Sequence, residues 1–94
     1  MTEVLVRGGT VVTADSMGTS DVLIRDGKIV QLGSQLDTSG KVIDASGHLV
    51  MPGGIDTHTH LDHPIERLGV RTADDFYVGT IAGACGGVTT IIDF

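Results

Sequence analysis

The chain has 94 residues, of which 40% are apolar, 19% are charged and only three are aromatic: Phe76, Tyr77 and Phe94. That is material for one modest hydrophobic core. Twelve acids against six bases give a net charge of −6 with no cluster of Lys or Arg, which excludes a nucleic-acid binder working through counterion release. No apolar run approaches the ~18 residues of a membrane span. The start, Met1-Thr2-Glu3-Val4, has no basic n-region and no following apolar h-region, and the single cysteine, Cys85, has no partner for an internal disulfide. A reducing cytoplasm is the expected address.

Fourteen glycines, about twice the usual ~7%, stand with only two prolines and no low-complexity tract, so they punctuate structure. Val4-Leu5-Val6 and Val11-Val12 flank Arg7-Gly8-Gly9-Thr10. Val22-Leu23-Ile24 and Ile29-Val30 flank Arg25-Asp26-Gly27-Lys28. Val42-Ile43 and Leu49-Val50 flank Ala45-Ser46-Gly47-His48. Gly-Gly and Asp-Gly supply the positive φ of primed hairpin turns, and Ser-Gly does so less strongly. Three hairpin-like units predict an antiparallel sheet, with polar links at 14–20 and 33–40. Met51-Pro52-Gly53-Gly54 breaks the pattern, because Pro52 cannot donate to a ladder. A domain boundary is expected there, between 1–52 and 53–94.

Ile55-Asp56-Thr57-His58-Thr59-His60 then reads as a strand, followed by a polar loop over 61–71. Thr72 with Asp75 three residues on suggests a capping box, with Thr72 at the N-cap. Phe76, Ile81 and Cys85 share roughly one face of a helix that Gly86-Gly87 ends. Val88-Thr89-Thr90-Ile91-Ile92 reads as a buried strand. Strand, crossover helix and strand form a βαβ unit with parallel strands. Alone it would have open edges and half-covered faces, so 53–94 is expected to begin something larger.

His58-Thr59-His60 is the sharpest chemical feature. In a strand, residues i and i+2 share a face, about 6–7 Å apart at Cα, so two imidazoles can converge on one ion. Zinc suits imidazole and takes four ligands, which makes the pair half a site. A bare His-x-His is also an ordinary polar pair in a sheet. Its place favours metal, because open α/β folds and barrels keep their active sites at the ends of parallel strands. Asp56 lies on the same face by parity. Asp62 stays open between ligand, substrate contact and solvated loop carboxylate. His63, extended before Pro64, leaves the 56, 58, 60 alternation but remains a candidate third ligand. His48 is expected to face solvent, Cys85 to be a small buried hydrophobe, and Asp93 to be either site-facing or structural. There is no nucleophile elbow, Walker loop or dinucleotide fingerprint.

Met51-Pro52-Gly53-Gly54-Ile55-Asp56-Thr57-His58-Thr59-His60-Leu61-Asp62 resembles the Pro-Gly-x-Ile-Asp-x-His-x-His signature of the cyclic amidohydrolases. Gly9–Asp15, Asp21–Ile29 and Gly86–Phe94 resemble the dihydropyrimidinase and D-hydantoinase branch of that superfamily, its N-terminal portion only. The fold this implies is the N-terminal part of a composite β-sandwich over 1–52, completed by chain from the far C-terminus. It is followed by the first β-α-β of a metal-dependent (β/α)8 TIM barrel over 53–94. His58 and His60 would bind one of two zinc ions per full-length chain. The other ligands would be a carboxylated lysine, two histidines and an aspartate outside this segment, which holds no catalytic residue beyond its metal ligands. Asp56 and Asp62 would be supports or substrate-side residues. His63 to Val70 resembles the loop over the substrate's exocyclic group, with Ile65 as its apolar contact.

The reaction implied is hydrolytic ring opening of a dihydropyrimidine or 5-substituted hydantoin by a metal-activated hydroxide, in a longer protein; the 94-residue piece is expected to be inactive alone. In the related dihydroorotases the position of Asp62 resembles an arginine that grips a substrate carboxylate. A carboxylate there would repel an anion, which favours an uncharged cyclic diamide; an allantoinase stays an alternative. Another is a catalytically silent, hydantoinase-like scaffold protein that has lost metal ligands, against which both His58 and His60 are retained. The partners implied are the small cyclic amide, the remainder of the same polypeptide and further copies in a tetramer, with no nucleic acid and no membrane.

Overall fold

The computed structural model describes residues 2–94. The chain divides into two units, one ending at Pro52 and the other running Gly53–Phe94.

In the first unit, β1 (Glu3–Val12) and β2 (Met17–Arg25) pair antiparallel, and β2 turns into β3 (Lys28–Gly33). The turn residues Asp26 and Gly27 both have positive φ, 49° and 78°, as a type I′ hairpin requires. The segment Arg7-Gly8-Gly9-Thr10 does not reverse the chain. Here β1 continues as one ten-residue strand with a bulge between Val6 and Gly9. Gly8, at φ 73°, serves the bulge, which needs the same left-handed backbone as a turn.

The third expected hairpin is also absent. β4 (Lys41–Asp44) and β5 (Leu49–Val50) lie parallel to β1, against Val4–Arg7 and Thr10–Val11. The antiparallel expectation is therefore corrected to a mixed sheet of order β3-β2-β1-β4, with β5 also on β1. The link over 34–40 carries the chain back to the start of β1, so the edge runs in the same direction as β1. Ser46-Gly47 makes a jog beside the bulge: Ala45 N donates to Arg7 O at 2.8 Å and Thr10 N to His48 O at 3.0 Å. A Cβ on Gly9 would stand 2.5 Å from Val50 Cγ2 and 3.0 Å from Ala45 Cβ. The bulge and the jog thus fit together only around a glycine.

Leu5, Val22, Leu23 and Ala45, all in this unit, are the buried apolar residues among those described. With them lies one buried acid, Asp21. Its Oδ1 accepts from Gly8 N at 2.9 Å and its Oδ2 from Leu36 N at 3.1 Å. One carboxylate thereby ties the bulge to the polar link.

In the second unit, β6 (Gly54–Thr59) runs parallel to β9 (Val88–Asp93), with α1 (Phe76–Cys85) between them in sequence. The loop expected over 61–71 contains a short antiparallel ribbon, β7 (Pro64–Ile65) with β8 (Val70–Arg71), joined by a 3-10 turn at Glu66–Leu68. The helix begins three residues later than the expected cap. Asp75 is the N-cap and accepts from Val78 N at 2.8 Å, while Thr72 Oγ1 is taken by His63 N at 2.9 Å. None of residues 53–94 is fully buried, and Phe76, Tyr77, Ile81 and Ile92 are exposed. Cys85 is exposed rather than buried, because nothing in this unit covers that end of the helix. Among the described residues no helix is long and apolar enough to cross a membrane.

Candidate metal centre

His58 lies near the end of β6 and His60 one residue beyond it. The strand's alternation puts both on one face. Their Nε2 atoms approach to 3.1 Å, with ring centroids 5.0 Å apart and planes at 78°. The His60 tautomer follows from its partner. His60 Nδ1 lies 3.4 Å from the Phe94 carbonyl, which can only accept. With the His60 proton on Nδ1, toward that carbonyl, its Nε2 presents a lone pair on the side of His58. Two ligands of a tetrahedral zinc, each about 2.0–2.1 Å from the ion, stand roughly 3.3 Å apart. The observed spacing is close to that bite, and imidazole is a good zinc donor, so the pair fits a divalent ion. Among the described residues no third His, Cys, Asp or Glu joins it to form a set of three.

The pair is held by neighbouring groups. Asp56 Oδ1 accepts from His58 N at 3.1 Å, so this carboxylate braces the strand end. Asp93 Oδ1 accepts from Thr59 Oγ1 at 2.7 Å and from Leu61 N at 2.8 Å. The Leu61 amide first, and then the Thr59 hydroxyl, hold the Asp93 carboxyl below the ordinary carboxylate value. The Phe94 ring stands 4.8 Å from that of His58.

His63 comes close to the pair, its ring 4.8 Å from that of His60, and its Nδ1 lies 3.1 Å from the same Phe94 carbonyl. Asp62 turns elsewhere. At φ 48°, it accepts Arg71 Nε on Oδ1 at 2.9 Å and Arg71 Nη2 on its backbone oxygen at 2.8 Å. Ile65 is half-buried and pairs with Val70 across the ribbon. His48 is exposed at the jog, in the other unit, 3.0 Å from Ser46 O. Sequence reasoning did not find the role of Asp93. The sequence marks Asp93 as an acid ending a strand, either site-facing or structural; the register that sets it level with Thr59, the residue before His60, comes from the strand pairing.

A model of the amidohydrolase family matches residues 41–90. The D-hydantoinase of Geobacillus stearothermophilus is 58% identical over 91 residues, covering 96% of this chain and 19% of that protein. The dihydropyrimidinase of Rattus norvegicus is 49% identical over 96 residues, covering 96% of this chain and 18% of that protein. The crystal structure of a dihydropyrimidinase from Brevibacillus agri superposes with a TM-score of 0.91 at 50% identity, over 98% of this chain and 20% of that one. The chain thus spans about a fifth of the length of the relatives it matches. These matches bear out the family resemblance carried by residues 51–62, and the chain belongs to the amidohydrolase family, similar over almost its whole length to D-hydantoinases and dihydropyrimidinases.

Proposed function

We propose that this chain supplies the first two metal ligands, His58 and His60, of a longer cyclic amidohydrolase that opens the ring of a dihydropyrimidine or 5-substituted hydantoin. The observation that carries the reading is the convergence of two imidazole nitrogens to 3.1 Å at the C-terminal end of β6, in a chain of this family. The strand would open a (β/α)8 barrel, where active sites gather at that end. The centre would hold two zinc ions, with a carboxylated lysine and the remaining ligands on later strands. A divalent ion in such a site lowers the pKa of water and polarises an amide carbonyl.

The work of this chain's own residues is binding and orientation. His58 and His60 would offer Nε2 lone pairs, each ring carrying its proton on Nδ1. Asp56 braces the His58 backbone, while Phe94 sets its ring beside that of His58 and its carbonyl beside His60 Nδ1. Asp62 occupies the Arg71 guanidinium, so no unpaired cation is offered there to a substrate carboxylate, and a neutral cyclic diamide is the better guest. Ile65, on the ribbon, contacts the exocyclic group. The rest of the polypeptide completes both units, and the enzyme works as a cytoplasmic homo-oligomer, a tetramer by family likeness.

The test is metal content and ring opening in the longer enzyme. Up to two zinc ions per chain are expected, and His58→Ala should remove at least one of them together with hydrolysis of dihydrouracil. A zinc-free wild-type enzyme, purified after expression with zinc, would overturn the reading.

A further inference from the structure

We propose that Asp93 is the positioning residue of the His58–His60 pair, a single carboxylate oxygen that holds the Thr59 hydroxyl before His60 and the Leu61 backbone amide after it. Asp93 matters to catalysis only if His58 and His60 hold metal, as proposed above. Its effect on the chain is independent of that.

The parallel ladder between β6 and β9 stops at Thr59, which is in register with Asp93. Phe94 N donates to Thr59 O at 3.0 Å, and beyond that bond His60 and Leu61 have left the strand. The first backbone donor past His60, Leu61 N, ends on Asp93 Oδ1 at 2.8 Å. The same oxygen takes the hydroxyl of Thr59, the residue before His60, at 2.7 Å. His60 is therefore clamped between two residues that share one acceptor. Its own Nδ1 points at the Phe94 carbonyl, the next group along β9. His58 has a separate brace, Asp56. Removing Asp93 leaves Leu61 N without its acceptor and Thr59 Oγ1 with only its longer 3.3 Å contact to Ile92 O; the chain can then swing at His60, and the 3.1 Å approach of the Nε2 atoms depends on that segment staying in place. Because both donors meet one oxygen, the clamp needs an acceptor there, which the carboxylate's charge strengthens. Asparagine can present that oxygen; alanine cannot.

The experiment uses the longer enzyme, wild type and the variants Asp93→Asn, Asp93→Ala and Thr59→Val. Zinc affinity is measured by competition with a chelator, and amide exchange of the 57–63 segment is measured in the metal-free protein. Asp93→Ala should weaken zinc binding by about 10–100-fold, the usual effect of losing an outer-shell partner. It should also speed exchange at Leu61 by about tenfold or more, as the protecting bond is lost. Asp93→Asn should lose clearly less than Asp93→Ala in both measurements, because it keeps the acceptor. Thr59→Val, which deletes one donor and leaves the carboxylate, should lose zinc affinity by a smaller factor than Asp93→Ala. It decides the matter if the alanine variant does not fold. Wild-type zinc affinity and exchange in Asp93→Ala would overturn the proposal. So would an asparagine variant as impaired as the alanine one. If the wild-type enzyme holds no zinc, the metal reading falls, and exchange at Leu61 in the two Asp93 variants still decides whether Asp93 holds the segment.

Discussion

Asp21 is a carboxylate 6% exposed inside the mixed sheet, with a backbone donor on each oxygen. Gly8 N at the bulge of β1 meets Oδ1, and Leu36 N in the return link meets Oδ2. Asp21→Ala removes both acceptors at once. A hydrogen bond to a charged group contributes about 1.5–3 kcal/mol, so losing two costs roughly 3–6 kcal/mol, comparable to the whole stability of a small domain. Asp21→Asn keeps one oxygen and places an NH2 group where the other stood. That group faces a backbone N–H, donor against donor, so one bond is lost and the cost is about 1.5–3 kcal/mol. Urea unfolding followed by far-ultraviolet circular dichroism reads the difference. At an m-value near 1–1.5 kcal/mol per molar for a chain of this size, the asparagine midpoint should fall by roughly 1–3 M, and the alanine variant should lose its sheet without urea. Equal midpoints for the two variants, or shifts below about 0.5 kcal/mol in both, within the range of ordinary surface changes, would refute the reasoning.

Gly79→Ala should not deliver the ~1 kcal/mol that helix propensity promises, because the new Cβ would stand 2.4 Å from Leu61 Cδ2; a thermal midpoint raised by the full amount would show that Leu61 yields freely. Arg71→Gln should alter stability by less than about 1 kcal/mol, since its pair with Asp62 is exposed on both sides, and the longer enzyme should still prefer dihydrouracil to dihydroorotate; comparable kcat/KM on the two substrates would contradict the charge argument at position 62. Glu3 is held below its ordinary 4.5 first by the Thr38 hydroxyl and then by Arg25, and Asp44 below 3.8 by the Ser46 hydroxyl and amide. Both protonate more readily when unfolded, so the stability they add is complete above those ordinary values and is lost as pH falls through the lower folded ones; an acid titration of the unfolding midpoint should show it flat near neutrality and falling below about pH 4–5. The isolated 1–94 chain should associate or keep 53–94 mobile, because that unit leaves Phe76, Tyr77, Ile81 and Ile92 exposed. A sedimenting monomer with slow amide exchange over Val88–Ile92 would count against this.

Several features could be read before any coordinates. Asp26-Gly27 between β-branched runs admits little besides a two-residue turn, and His58-x-His60 shares a face in any strand. Other features could not, because different structures use the same local chemistry. Gly8-Gly9 supplies positive φ, and both a hairpin and a bulge consume it; only the pairing of Val6 and Gly9 with Val22 and Ser20 decides between them. Val42-Ile43 and Leu49-Val50 announce strands but carry no information about their partner, which lies nearly forty residues away in β1. Thr72 and Asp75 are both good N-caps, and Thr72 is diverted by a tertiary donor, His63 N. Asp62 could be seen as a carboxylate beside the site, but not as the partner of Arg71 across the ribbon. The clamp at Asp93 depends on a parallel register that no single strand's composition encodes.

The way β1 acquires its neighbours has a consequence during synthesis. Its partner on one side, β2, follows it directly, but its other edge waits for β4 and β5, where Lys41 meets Val4 and Leu49 meets Thr10. At a translation rate of about 5–20 residues per second, that edge stands open for roughly 2–8 s on the ribosome. A flat, valine-rich edge of this length would recruit a neighbouring nascent chain. The kink at Gly8 interrupts it midway, so no intruding straight strand can match more than half of it. The native edge, itself broken by the jog at Ser46-Gly47, is shaped to match the whole. The bulge thus gives the open edge of β1 a shape that the chain's own residues 41–50 match and a straight strand does not.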